Sequence, residues 1–246
     1  TALIDAALDA VADERAAVQA EYEAFATFDR RVADCSTVSA STGPPLVADP
    51  RPSGKSLERV RTAYAETVMS VPHYEAEYDE TVAESLAAEF GDDIAAALVG
   101  GTALTPEFRE AVRAATDAAR RERAEFLDVL DRESASLSTA ADDVADLRAD
   151  MDALDDRPLS ARSFDDLYDL WTRVEELERR VDGIAFRRQE TIRGHRNDLP
   201  GVPTDLCEYL YAGLSASYPV LATLADLGGT LEQAGRRVER ILASTA

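Results

Sequence analysis

The chain has 246 residues and is strongly acidic, with 26 Lys and Arg residues against 48 Asp and Glu residues and a formal net charge of −22. Because the negative charge is spread along the whole chain, the surface disfavours nucleic acid and anionic membranes as partners. The length fits one domain, since an elongated bundle of helices accommodates all of it around one core.

The composition also indicates a cellular setting. Lys55 is the only lysine and Asn197 the only asparagine, a usage typical of cytosolic proteins of salt-loving archaea, in which concentrated salt screens self-repulsion. Cys35 and Cys207 lie far apart and are interpreted as free structural thiols. The N-terminal segment lacks the pattern of a signal peptide, and the longest charge-free stretch, residues 209–225, is too short for a membrane span. We therefore expect a cytoplasmic protein with no membrane span.

A long helix is predicted over residues 2–33, because apolar side chains recur along it at heptad spacing. These side chains are Ile4, Leu8, Val11, Val18, Tyr22 and Phe25. Residues 34–55 are rich in Ser, Thr, Gly and Pro, a composition that breaks helices, and are interpreted as a flexible linker. The linker is long enough for the first helix to pack beside later helices of its own chain or to swap onto a second copy.

A cluster of short helices is predicted over residues 56–101. Ser56 is expected to cap the first of these helices, which Pro72 ends. A second helix starts at Thr81 and ends at Gly91, and a third follows directly.

The chain is organised around a helix predicted over residues 105–155. Thr105 can cap this helix, and Pro106 fits its first turn. Apolar or small residues recur along it at alternating steps of four and three, and only Glu133 interrupts the pattern. This seam consists of Phe126, Leu130, Leu137, Ala140, Val144, Leu147, Met151 and Leu154. A helix this long buries such a stripe only against other long helices.

Two further helical regions complete the chain. Residues 163–196 carry another heptad seam, begin with Ser163 as a cap, and run antiparallel to the central helix because the connection is short. Residues 204–244 are helical, with a kink or division expected at Pro219 and at the glycine pair 228–229. No stretch alternates apolar and polar residues as strands do. The predicted fold is all-α, an elongated antiparallel helical bundle with long coiled-coil-like helices and a small cluster of short ones.

One segment resembles a family of uncharacterised haloarchaeal proteins. Its distinctive block reads T-V-M-x-V-P-H-Y-E-x-E-Y over residues 67–78, within a longer similarity over residues 59–98. The similarity continues through the helix start at residues 105–106 and through Arg and Gln at 188–189. The family is a domain of unknown function. The resemblance therefore implies a helical protein of a halophile and supplies no activity, cofactor or catalytic residue.

Candidate site residues lie at the helix break inside this block. We interpret Val71, Pro72, His73, Tyr74 and Tyr78 as a packed elbow between two helices, in which the tyrosines bury their rings. The alternative is a hard-metal or acid/base site built from His73 and the carboxylates that follow it, although their spacing matches no ligand pattern. No cofactor is predicted.

The most basic stretch of the chain is a candidate partner or anion surface. It contains Arg179, Arg180, Arg187, Arg188 and Arg193. In the favoured interpretation these arginines pair with acidic residues of a neighbouring helix and fix the register of that pairing; an anion or partner site is the alternative. His195, in the same stretch, is interpreted as a favourable charge at a helix end.

The sequence shows no Ser-His-Asp order, phosphate-binding loop, dinucleotide fingerprint or zinc spacing, so we predict a non-enzymatic protein. The favoured function is an intracellular interaction or scaffold protein that acts through coiled-coil surfaces, as a homo-oligomer or with another helical protein. The alternative is a DNA-binding transcriptional regulator that uses residues 81–120. Two short helices meet there at Gly91, and Arg109, Arg113 and Arg120 share a helix face. The second short helix, however, offers no side chain for a phosphate or a guanine edge.

Overall fold

The structure is a computed structural model and describes residues 2–38, 54–74, 80–155, 157–198 and 205–245. Over these ranges it contains helices and no strand, which confirms the predicted all-α class. The α-helices in these ranges are α1 (Ala2–Ala33), α2 (Gly54–Ala65), α3 (Val82–Phe90), α4 (Asp92–Gly100), α5 (Pro106–Asp152), α6 (Phe164–Asp198), α7 (Leu206–Leu210) and α8 (Pro219–Thr245). None of these described helices combines the length and the apolar content that crossing a membrane requires.

The long helices start where capping residues stand in the sequence. Phe108 N–H donates to Thr105 Oγ1 over 3.1 Å, immediately before the first turn of α5. Ser163 Oγ accepts from Asp166 N–H at 3.2 Å, and Ser163 N–H donates to the Asp166 carboxylate at 3.0 Å. These contacts satisfy amide donors that a first helical turn otherwise leaves without partners. Both starts agree with the sequence-based prediction.

The first short helix differs from its prediction at both ends. α2 begins at Gly54, so the last two residues of the predicted linker are helical, and Ser56 lies inside the helix and does not cap it. Residues 39–53 of that linker lie outside the described residues. It ends at Ala65, and a 3-10 turn over Val68–Ser70 follows, whereas the helix was expected to continue as far as Pro72. The turn is tied back to the helix by side chains, since Thr67 Oγ1 donates to Ala63 O at 2.6 Å. Local hydrogen bonds of this kind compete with the helical ladder.

The final helical region is two helices. α8 begins at Pro219, which therefore divides the region as predicted. The glycine pair 228–229 lies inside α8, where the helix continues through it. Proline lacks the amide that an interior turn needs, whereas a glycine costs only about 1 kcal/mol relative to alanine. Packing of α8 against α6 outweighs that smaller cost.

The chain divides into two compact units. The bundle unit consists of Thr1–Glu14 and Val129–Ala246, and the cluster unit of Arg15–Asp128. α1 and α5 each have residues in both units. The single-domain organisation inferred from the sequence stays a prediction.

The bundle unit is built from long helix segments with apolar inner faces. Leu137 and Leu147 of the predicted α5 seam are 0% exposed, and so is Glu133, the residue that interrupts the seam. Leu167 and Leu170 of α6 pack with Val238 of α8. The α5 seam is therefore buried between Leu130 and Leu147, including the charged residue, whereas the seam residues at its two ends, Phe126, Met151 and Leu154, are only partly buried.

The cluster unit has an aromatic core. Phe28 of α1 meets Tyr64 of α2 edge-on, with ring centroids 5.3 Å apart, and stacks on Phe90 of α3 at 6.0 Å. Phe25, one turn earlier on α1, also contacts Phe90. Aromatic pairs in such geometry contribute about 0.5–1.5 kcal/mol each beyond the area they bury. This core fixes the short helices against the second half of α1.

Candidate functional site

A buried ionic network lies in the bundle unit. The Glu133 side chain on α5 is 0% exposed, and Arg188 of α6 donates to both of its oxygens at 2.5 and 2.8 Å. His195 Nε2 lies 2.8 Å from Glu133 Oε2. The Tyr211 hydroxyl, just after α7, donates to Glu133 Oε1. We call these four residues the Glu133 network.

The network keeps Glu133 ionised. Burial by itself raises the pKa of this carboxyl, but hydrogen bonds from His195 and Arg188 outweigh the desolvation and lower the pKa to about 2. Since an ionised carboxylate only accepts hydrogen bonds, the His195 Nε2 that faces it carries a proton. Burial, followed by the Glu133 charge, raises the pKa of Tyr211. Glu133 is therefore a poor base near neutral pH, and the arrangement suits joining helices better than moving protons.

Cys207 borders this network. Its Sγ lies 3.8 Å from Arg188 Nη2. Burial first, and then the nearby Glu133 charge, raises the pKa of the Cys207 thiol to about 12. Cys35 is also buried, and desolvation raises its pKa too. Both thiols are free, as predicted, and both are protonated and weakly nucleophilic at neutral pH.

A second ionic network lies in the cluster unit around Arg123 of α5. Its guanidinium donates to Glu89 of α3 at 2.5 and 2.9 Å and to Glu21 of α1 at 3.0 Å. The same guanidinium lies 4.9 Å from the centre of the Phe25 ring. His73 Nε2 is 2.9 Å from the other Glu21 oxygen. This Arg123 network borders a cavity of about 80 Å³ and links three helices to the elbow.

The elbow residues take different positions. Val71 and Tyr74 are 9% and 7% exposed and pack with Ala24 of α1, whereas Pro72 is exposed. His73 is half-buried against Glu21. Tyr78 and the carboxylates at positions 75–79 lie outside the described residues. In the described ranges, no group of three or more His, Cys, Asp or Glu side chains is arranged to hold a metal ion.

The arginines of α6 separate into buried and exposed members. Arg188 belongs to the Glu133 network, while Arg180 and Arg187 pair with acidic residues of α5, the latter at 2.6 Å from Asp143. Arg193 pairs with Glu190 within α6 at 3.1 Å, and Arg179 is exposed. Partners for successive α6 arginines lie progressively earlier on α5. This order supports the interpretation that arginines fix an antiparallel register.

The arginines of the 81–120 region face α1. Arg113 donates to Asp29 at 2.9 and 3.3 Å. Arg120 Nη2 donates to the Tyr22 hydroxyl at 3.1 Å. Arg109 Nη1 donates at 3.3 Å to the backbone carbonyl of Cys35, just after the end of α1. These donors are used in packing α5 against α1.

Several large aromatic side chains of α6 point to solvent. Phe164, Tyr168 and Phe186 are 49%, 54% and 61% exposed. The ring of Tyr168 lies 5.9 Å from that of Trp171 on the same helix. Sequence reasoning did not single out these residues, because it followed only the inward seam of this helix.

Sequence reasoning also missed the role of His195. The structure corrects the helix-end interpretation, because the imidazole is 4% exposed and is bonded inside the Glu133 network. A signal was present: Arg188 and His195 are seven residues apart on the face that carries Val181 and Ile184. Two polar residues on an inward face, opposite a seam interrupted by a carboxylate, indicate a buried ionic contact.

Fold and site together define an all-helical protein whose helices are joined by buried ion pairs. The chain belongs to a family described as a domain of unknown function (DUF7260), whose profile matches residues 2–235. This match confirms the prediction that the chain belongs to a family of unknown function. No curated protein and no solved structure matches the chain.

Proposed function

We propose that this chain is a non-enzymatic interaction or scaffold protein of a haloarchaeal cytoplasm, which binds partner helices through the outward, coiled-coil-like surfaces of its own helices. The observation that carries the proposal is the set of exposed aromatic side chains on α6. Phe186 is 61% exposed on a helix whose other side is already buried. Aromatic residues are enriched in interface cores, where charged residues are depleted.

The interior chemistry supports an interaction role over a catalytic one. Glu133 and His195 are hydrogen-bonded within the Glu133 network, and the buried Cys207 thiol borders it. Their pairing maintains helix register, because removing one member leaves a buried charge without its partner. The net charge of −22 and the single lysine support the high-salt cytoplasm.

Co-purification from a haloarchaeal host tests the proposal. A tagged chain is recovered in molar KCl and its bound proteins are identified by mass spectrometry. We expect a specific protein with a predicted helical surface, and we expect it to be lost from Tyr168→Asp/Phe186→Asp. Ala145→Asp, at an exposed position of α5, is the matched control and should retain it. Recovery of the same proteins with the wild-type chain, the Tyr168→Asp/Phe186→Asp variant and the Ala145→Asp control would overturn the proposal.

The DNA-binding alternative has less support. Arg109, Arg113 and Arg120, the donors it requires, are engaged with α1 or with neighbouring backbone. A gel shift against genomic fragments in high KCl separates the two functions, since a regulator must show a sequence preference that survives salt.

A further inference from the structure

The outward side of α6 carries a second heptad pattern, opposite the side that faces the core of the bundle unit. Six exposed residues follow one another at alternating steps of four and three. They are Tyr168, Thr172, Glu175, Arg179, Asp182 and Phe186. At 1.5 Å per residue, this outer seam is about 27 Å long. Heptad spacing is the pattern by which one helix pairs with another.

The outer seam is symmetric about position 177. An antiparallel copy of the helix therefore brings every seam residue opposite another seam residue. The facing pairs are Tyr168 with Phe186, Thr172 with Asp182, and Glu175 with Arg179. Each pair occurs twice, because a two-fold axis relates the copies and makes the interface self-complementary.

The chemistry of the facing residues is complementary. Glu175 and Arg179 carry opposite charges and form no ion pair within the described parts of the chain, whereas the adjacent Arg180 is paired with α5. The side chains of Tyr168 and Phe186 are 54% and 61% exposed. Aromatic rings in contact are stabilised beyond the area they bury. The seam thus offers two ion pairs at its centre and aromatic contacts at both ends.

We propose that this chain forms an antiparallel homodimer through the outer seam of α6. The proposal rests on the proposed function and deepens it, because it names a second copy of the chain as the helical partner. A parallel, in-register pair is disfavoured, since it places Glu175 opposite Glu175 and Arg179 opposite Arg179. Like charges directly opposite each other suppress pairing.

Charge reversal tests both the dimer and its register. The dissociation constant is measured by sedimentation velocity over a range of concentrations, at the lowest KCl concentration that keeps the far-ultraviolet circular dichroism native. Arg179→Glu and Glu175→Arg each place like charges opposite one another at two points. Each should raise the dissociation constant about tenfold or more.

The double variant Glu175→Arg/Arg179→Glu restores opposite charges in the antiparallel register. Its dissociation constant should return to within about threefold of the wild-type value, because each reversed charge again faces an opposite charge on the partner copy. An equimolar mixture of the two single variants should also form a heterodimer, since one carries two arginines and the other two glutamates. Failure of the double variant to recover would overturn the proposed register.

Two further variants complete the experiment. Arg173→Glu makes the same charge change at an exposed position off the outer seam and should leave the dissociation constant unchanged. Phe186→Ala removes the aromatic contact and should weaken the dimer about tenfold. Wild-type chain that sediments as a monomer at every concentration would overturn the homodimer. If the chain is a monomer but a different helical protein co-purifies with it, the proposed interaction function stands and only the homodimer is overturned. If no helical protein co-purifies either, both the homodimer and the proposed function are overturned.

Discussion

Glu133 remains charged inside the bundle unit because each of its oxygens accepts more than one hydrogen bond. Arg188 binds both oxygens, His195 binds one, and the Tyr211 hydroxyl binds the other. Desolvation of an ion costs several kcal/mol and is offset only when geometry and additional hydrogen bonds are favourable. The stability of the fold therefore depends on the complete network: the intact set of four residues offsets the desolvation of Glu133, whereas loss of one member leaves a buried group without its partner.

Glu133→Gln should destabilise the fold by about 3–5 kcal/mol, because it leaves the Arg188 guanidinium buried without a countercharge. Urea unfolding followed by circular dichroism in molar KCl measures the loss. Glu190→Gln is the matched control, since Glu190 forms an exposed pair with Arg193, and it should cost at most about 1 kcal/mol. Equal losses in the two variants would contradict the buried-network assignment.

The same residue predicts acid sensitivity. The pKa of Glu133 is lowered in the fold to about 2, from 4.5, so its contribution is fully present above pH 5 and is lost as the pH falls toward 2. The contribution is on the order of 3 kcal/mol. We expect the difference in unfolding free energy between wild type and Glu133→Gln to shrink over that interval. A difference that stays constant from pH 6 to pH 2 would show that the fold does not lower the pKa of Glu133.

At the scale of single elements, local sequence signals determine most helix ends. Thr105 with Pro106, and Ser163 with Asp166, mark starts that depend only on neighbouring residues. Ser56 fails as a signal because serine caps only when the preceding chain is not helical, and here α2 begins earlier.

Gly91, between α3 and α4, adopts φ +83° and ψ 160°, a region that is essentially restricted to glycine. Gly91→Ala should therefore destabilise the fold by about 1–3 kcal/mol. Gly229→Ala is the control, because an added Cβ there meets nothing within 4 Å and alanine favours the interior of α8. It should stabilise the fold by up to about 1 kcal/mol. Thermal unfolding measures the midpoint temperature, which should fall in Gly91→Ala and rise in Gly229→Ala. Shifts of the same sign in the two variants would refute the assignment of a glycine-only conformation to Gly91.

The α5 seam makes a stronger prediction. Leu137 is 0% exposed, so Leu137→Asp places a charge without a partner in the core and should cost more than about 4 kcal/mol, a large part of a typical stability. Ala145→Asp introduces the same side chain at an exposed position of α5 and should cost less than about 1 kcal/mol. Circular dichroism and size exclusion in high salt compare them. Similar behaviour of both variants would mean that the inward face of α5 is misassigned.

At the scale of the whole molecule, periodicity predicts which helices form and which faces they bury, but not which polar groups meet. The contact of Glu133 with His195 joins residues on different helices, and its existence depends on the register of α5 against α6. Periodicity classes Glu133 as an interruption, because an isolated buried carboxylate is too costly to expect. Only the convergence of Arg188, His195 and Tyr211 makes its burial favourable. The outer seam of α6 was missed for a related reason, since its charged centre hides the heptad spacing.

Net charge acts on the whole chain. A formal charge of −22 repels itself in dilute buffer, and at 1 M KCl the Debye length falls to about 3 Å, so most of that repulsion is screened. We expect the free energy of unfolding to rise with KCl and to level off near about 1 M. Asp9→Asn/Asp13→Asn removes two exposed charges from α1 and should reduce the KCl concentration needed to reach the midpoint of that rise.

The loss of unfolding free energy caused by Glu133→Gln should change little with salt, because buried pairs are screened much less than exposed ones. Unfolding that is insensitive to KCl, or a Glu133→Gln cost that vanishes in 1 M KCl, would contradict this separation between a screened surface and an unscreened interior.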